Sequence, residues 1–212
     1  ISAKAKNIYI SSPINDEKFF ITILDDGEGM DDSELFNAMK YGSNKEHYDT
    51  NDLGRFGLGL KSASLSQCRI LTVASKKENV IVAYQWDLDS VIQNREWDCL
   101  KLENHEINNI PNIEHLRKLT QGTLVVWENF DIGYKKSGGR IRDYLCDEID
   151  DAESHIRLVF HRFLSNSFKP LKIYINQVLL TPIDPFLEYH SKTDSQNPKE
   201  IDVNGSIVKI QP

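Results

Sequence analysis

Apolar positions fall in short β-branched and aromatic blocks over the first 130 residues, separated by glycine-rich or polar stretches. Residues 7–10 (NIYI) and 19–24 (FFITIL) predict two strands around the turn-forming SSPIND. The glycines of residues 25–30 (DDGEGM) predict a loop. Residues 31–40 (DDSELFNAMK) open with cap-forming acids and repeat Leu35, Phe36 and Met39 at helical spacing, which predicts a helix. The polar stretch 41–53 predicts a mobile segment. Residues 54–67 (GRFGLGLKSASLSQ) predict a glycine loop entering a helix, followed by strands at 70–75 and 80–86.

Residues 87–120 carry little pattern beyond a short helix at 113–119, whereas 123–128 (TLVVWE) reads as a strand. The loop GYKKSGG at 133–139 is the natural boundary candidate. Residues 140–164 predict one long helix with Ile149, Ile156, Val159, Phe160, Phe163 and Leu164 on one face. Hairpins are predicted at 171–180 around Asn176-Gln177 and at 202–210 around Asn204-Gly205. Strands and helices in this order give an α+β fold.

Composition narrows the function classes. The 212 residues are 40% hydrophobic and 27% charged, with a net charge of −7. Binding to DNA through phosphate neutralisation usually comes with a more basic chain, so direct DNA binding by these residues alone is disfavoured. Three separated cysteines (Cys68, Cys99 and Cys146) make neither a disulfide scaffold nor a zinc knuckle, and a reducing, cytoplasmic compartment is expected. No apolar run approaches the ~20 residues of a membrane span, so no membrane association is expected. The six histidines are scattered, and the acidic run Asp147-Glu148-Asp150-Asp151 reads as a solvated helix face. Neither is taken as a metal site.

Two glycine segments carry the chemistry. Gly54-Arg55-Phe56-Gly57-Leu58-Gly59-Leu60-Lys61 runs into a helix pattern. Glycines let backbone N–H groups approach a phosphate, a helix start adds positive potential, and Arg55 and Lys61 add charge. The GxxGxG order is not the Rossmann fingerprint, and the P-loop pattern is absent. In Asp25-Asp26-Gly27-Glu28-Gly29-Met30, a carboxylate at a strand end suits recognition of a donor such as an exocyclic amine, since ionised Asp only accepts. Gly27 and Gly29 would let a base lie flat. Taken alone, DDGEG is more often a turn or a calcium-like surface loop than a functional segment.

Together, DDGEGM, GSNK, GRFGLGLKS and QGTLVVW resemble the ATP-binding domain of the gyrase, heat-shock chaperone, histidine kinase and MutL (GHKL) superfamily, most nearly its MORC-like prokaryotic branch. The resemblance implies a Bergerat-type α/β sandwich over 1–135 and the start of a smaller α+β transducer-like region over 140–212. It implies Asp25 as the adenine reader, with Gly27, Gly29 and Met30 around the base. Gly42, Ser43 and Lys45 would belong to the ATP lid. Gly54, Arg55, Phe56, Gly57, Leu58, Gly59 and Lys61 would surround the phosphates, and Thr123 would sit beside the aspartate.

Relatives carry a helix with a Glu general base and a magnesium-binding Asn, expected here upstream of Ile1, so these residues alone are expected to be inactive. ATP or ADP with Mg2+ is the implied ligand. An ATP-dependent homodimer is the implied assembly, with DNA association through other regions. The alternatives are a histidine kinase-like catalytic domain and a non-catalytic nucleotide-binding interaction module.

Overall fold

The computed structural model describes residues 3–12, 19–40, 59–130, 141–166, 170–188, 190–194 and 197–210. The polar stretch 41–53, the loop 54–58 and the boundary candidate 133–139 lie outside the described residues.

Strands β1 (Asn7–Ser11) and β2 (Phe20–Asp25) pair antiparallel, with Ile8 opposite Asp25. Helix α1 (Asp32–Met39) begins with a capping box: Asp31 accepts from the Glu34 amide at 2.9 Å, and Glu34 accepts from the Asp31 amide at 2.8 Å. Two of the four orphan amides of the first turn are thereby satisfied. Helix α2 (Gly59–Leu65) leads to β3 (Ile70–Lys77) and β4 (Val80–Asp87). These two strands form a hairpin whose turn residues Glu78 and Asn79 both have positive φ, as a two-residue hairpin turn matched to strand twist requires.

Residues 87–120 are more regular than their pattern implied. They hold α3 (Leu88–Asn94), β5 (Leu100–Lys101), α4 (Asn104–Ile107) and α5 (Ile113–Lys118). Local capping supports the first and third of these: Asp87 accepts from the Asp89 and Ser90 amides, and Glu103 forms a capping box with Glu106. Strand β6 (Gly122–Glu128) follows.

The single long helix expected after residue 140 is interrupted. Helix α6 (Ile141–Val159) stops at Phe160, whose φ of −96° and ψ of 13° leave the helical range, and α7 (His161–Leu164) is a separate turn. The break takes Val159 and Phe163 off the buried face, and both are exposed. Ile149, Ile156 and Leu164 pack inward as the pattern implied. Two hairpins close the described chain: β7 (Lys172–Ile175) with β8 (Val178–Leu179), and β9 (Lys199–Val203) with β10 (Ser206–Ile210).

Eight strands form one mixed sheet in the order β5-β4-β3-β6-β2-β1-β7-β8. Every pairing is antiparallel except that of β1 with β7. The segment expected to start a second unit therefore adds two strands to the sheet built by residues 7–128. β9 and β10 form a separate two-stranded sheet.

Both faces of the main sheet are covered, so β3 reads as an almost unbroken buried run. On the front face Ile21, Leu71, Val73, Tyr84 and Trp86 pack under Leu35 and Met39 of α1 and Leu145 of α6. On the back face Leu24, Ala74, Ala83, Leu124 and Val126 pack against Ile107, Ile113 and Leu116. The result is a mixed α/β sandwich. Among the described residues no helix is long and apolar enough to cross a membrane.

Candidate nucleotide-binding site

The last residue of β2, Asp25, stands opposite Thr123 of β6, and Thr123 stands opposite Ser75 of β3. Directly opposed residues point to the same face, so Asp25, Thr123 and Ser75 form a polar row across three strands. One step inward, Ile23, Val125 and Val73 occupy the next row on that face. The polar row is the rim of the front-face core.

Asp25 Oδ1 accepts from the Gly27 amide at 2.8 Å. Burial raises its carboxyl above the usual 3.8, and the neighbouring charge of Asp26 adds to the rise; backbone bonds from Gly27 and Thr123 work against it. Asp26 has a different task. Its carboxylate accepts from the Lys6 amide at 2.7 Å, the Asn7 amide at 2.8 Å and Asn7 Nδ2 at 2.6 Å. Burial alone would raise it, but the bonds from Asn7 and Lys6 hold its carboxyl below 3.8. Two adjacent aspartates are thus divided into one with hydrogen-bonding capacity to spare and one that ties the loop to the start of β1.

Ser75 is the residue that sequence reasoning missed. Its fully buried Oγ accepts from the Met30 amide at 2.8 Å and donates to the Gly122 carbonyl at 3.1 Å. It also lies 3.0 Å from Thr123 Oγ1. One hydroxyl joins the DDGEGM loop to the start of β6. The available signal was a serine within the strand pattern ILTVASKK.

The glycines serve backbone packing. A Cβ on Gly27 would lie 2.6 Å from the Ala3 carbonyl oxygen. Gly29 has a φ of +65°, and a Cβ there would lie 2.1 Å from the Lys76 carbonyl oxygen. Gly122, with a φ of +152°, brings its own Cα against the Asp25 carbonyl, 2.2 Å from where a Cβ would stand. At Gly27 and Gly29 the direction a Cβ would take is occupied by the chain itself. Met30 packs its side chain against the front-face cluster.

At the expected phosphate end, Gly59 opens α2, and a Cβ there would meet nothing within 4 Å. Gly42, Ser43, Lys45, Gly54, Arg55, Phe56, Gly57 and Leu58 lie outside the described residues. Lys61 points elsewhere than expected. Only 2% exposed, it donates from Nζ to the Ala38 carbonyl at 2.7 Å. Burial lowers its pKa from 10.5. The reason is geometric: the first turn of α2 presents Lys61 to the C-terminal end of α1, where carbonyls without helical partners attract a cation. Ser64, one turn on, is buried and accepts from Trp127 Nε1 at 2.9 Å, a packing role.

Among the described residues no group of three or more His, Cys, Asp or Glu side chains could hold a metal ion. An open groove of about 840 Å3 beside β4 and β5, lined in part by Ile81, Leu102 and His105, shares no residue with the polar row.

A family model for histidine kinase-, DNA gyrase B- and HSP90-like ATPases matches residues 1–123. A 64-residue stretch, 30% of this chain, is 36% identical to mouse ATPase MORC2B. That stretch covers 6% of the mouse protein's length. With more than half of its residues matched, an α/β sandwich behind them and an aspartate at the end of β2, the chain belongs to the histidine kinase-, DNA gyrase B- and HSP90-like ATPases.

Proposed function

We propose that the chain binds ATP with its adenine amine on Asp25, and that nucleotide state controls lid closure and dimerisation of the protein to which it belongs. The observation that carries this is the Asp25 carboxylate, half-buried at a strand end and left with accepting capacity after its bond to Gly27. An amine is the natural partner for such a group, because an ionised carboxylate has lone pairs only. Family membership supports the choice of a nucleotide as the ligand.

In this reading Thr123 lies at the base end. Gly54, Arg55, Phe56, Gly57, Leu58 and Gly59 line the phosphates, and Gly42, Ser43 and Lys45 belong to the lid. Lys61 supports the site from behind, through α1. Mg2+ would neutralise charge on the phosphates when bound. A glutamate base is the expected activator of water, as in relatives of this kind. The reading extends to a DNA-associated role for the whole protein, as the resemblance of its motifs to the MORC-like branch implies. The three separated cysteines, Cys68, Cys99 and Cys146, agree with the reducing, cytoplasmic setting that the sequence implies.

Calorimetric titration of the chain with MgATP, MgADP and MgGTP tests this. The reading expects saturable ATP and ADP binding that Asp25→Asn weakens. Equal ATP affinity in Asp25→Asn would move the adenine elsewhere.

A further inference from the structure

We propose that Ser75 is a positioning residue for base recognition. By donating its only proton to the Gly122 carbonyl, it makes Thr123 offer lone pairs, rather than a proton, beside Asp25. The inference rests on the reading of Asp25 as the adenine-facing group.

The argument is a count of protons. Ser75 Oγ has three neighbours at hydrogen-bonding distance: the Met30 amide at 2.8 Å, the Gly122 carbonyl oxygen at 3.1 Å and Thr123 Oγ1 at 3.0 Å. An amide N–H can only donate, and a carbonyl oxygen can only accept. A serine hydroxyl has one proton and two lone pairs. All three bonds are satisfied in one way: Ser75 donates to Gly122 and accepts from Met30 and Thr123. The site is fully buried at Ser75, where an unmade bond is costly, so this arrangement is strongly preferred.

The Thr123 proton is then committed inward. What Thr123 turns toward its row neighbour Asp25 is a pair of acceptor sites. Asp25, when ionised, is also acceptor-only. This rim of the sheet therefore presents acceptors alone, held at one spacing by strand register. A base edge led by an amine fits it. A ring nitrogen that needs a donor is served by a bridging water, which brings its own protons. A base edge led by a carbonyl oxygen, as in guanine, meets lone pairs and is rejected. Ser75 touches no ligand in this scheme. It sets the polarity of Thr123 and holds the Met30 end of the loop.

Calorimetry with MgATP and MgGTP, with a melting curve for each protein, provides the test. The native chain is expected to prefer ATP. Ser75→Ala releases the Thr123 proton to turn outward, and should reduce the ATP-to-GTP affinity ratio by about tenfold, the worth of one hydrogen bond. Ser75→Thr keeps a hydroxyl and should keep the ratio. Thr123→Val should lower the ratio, and adding Ser75→Ala to it should lower the ratio no further.

An unchanged ratio in Ser75→Ala, while Asp25→Asn abolishes the preference, overturns the inference and leaves the adenine reading standing. Unchanged ATP affinity in Asp25→Asn removes both. If Ser75→Ala does not fold, Thr123→Val decides, because it leaves the Ser75 bonds to Met30 and Gly122 in place. An unchanged ratio there overturns the inference.

Discussion

Lys61 Nζ lies 2.7 Å from the carbonyl oxygen of Ala38, so a lysine from the first turn of α2 closes the last turn of α1. Trp86 Nε1 donates to the next carbonyl, Met39, at 3.0 Å. With no basic residue in its own last turn, α1 receives its capping donors from α2 and β4. The resemblance implied Lys61 at the phosphates; the structure commits it to holding two helices together.

Lys61→Met should therefore act on stability. It leaves a buried carbonyl without its partner, a loss of about 1–3 kcal/mol. Thermal melting would register it, while the preference for ATP over adenosine should be kept. The pH response has a definite sign. Burial lowers the folded pKa of Lys61 below 10.5, so the folded state binds its proton less well than the unfolded state. Stability should rise as pH climbs from that lowered value toward 10.5, and the rise should vanish in Lys61→Met. A lysine that instead set triphosphate affinity would show its loss in titration.

Asp25 has the opposite sign. Its folded pKa is raised above 3.8, mainly by burial, so ionisation is disfavoured in the folded chain. Stability should fall slightly as pH rises from 3.8 through the raised value. Nucleotide binding should move the other way, because protonation replaces an acceptor with a donor facing an amine. ATP affinity should drop as pH falls through the raised value. Asp25→Asn should cost about 1–3 kcal/mol of binding at neutral pH and flatten this dependence. A pH series of titrations on both proteins checks it.

The strands were legible because both faces of the sheet are buried, so apolar and β-branched residues dominate runs such as FITILD and ILTVASKK. The start of α1 was legible because a capping box is written in four consecutive residues. Helices α3 and α4 were not, since seven and four residues are too short for a helical period to emerge. Nor was the stop at Phe160, where no glycine or proline marks the end of α6. Within the site, the motif order led to Asp25 and Thr123, which register places opposite one another. The inward turn of Lys61 and the hub at Ser75 depend on what three strands and two helices bring together. A linear pattern holds no record of that.

Gly29 should tolerate no side chain. Its φ of +65° favours glycine, and a Cβ would stand 2.1 Å from the backbone oxygen of Lys76, which is fixed in β3. Gly29→Ala should lower the melting temperature markedly, by strain of about 1–3 kcal/mol or more. Binding should weaken in step with folding. Full stability in Gly29→Ala would mean that the loop can re-form without this close approach.

Gly59 offers the converse experiment. It opens α2, its φ lies outside the range that side chains avoid, and a Cβ would meet nothing within 4 Å. Folding alone therefore gives no reason for glycine here. Alanine is the better helix former, by up to about 1 kcal/mol in a helix interior. Gly59→Ala should melt at or above the native temperature. If Gly59 lies against the triphosphate, as its position in GRFGLGLKS implies, the added methyl stands where phosphate oxygens approach. Gly59→Val should obstruct them further. ATP affinity should then fall from native to alanine to valine, while adenosine affinity stays nearly level. This separation matters because the other described glycines of the site, Gly27, Gly29 and Gly122, are each explained by backbone packing. A protein made more stable and at the same time poorer at binding ATP would tie Gly59 to the ligand. Unchanged ATP affinity across the series, with folding intact, would remove Gly59 from the phosphate site.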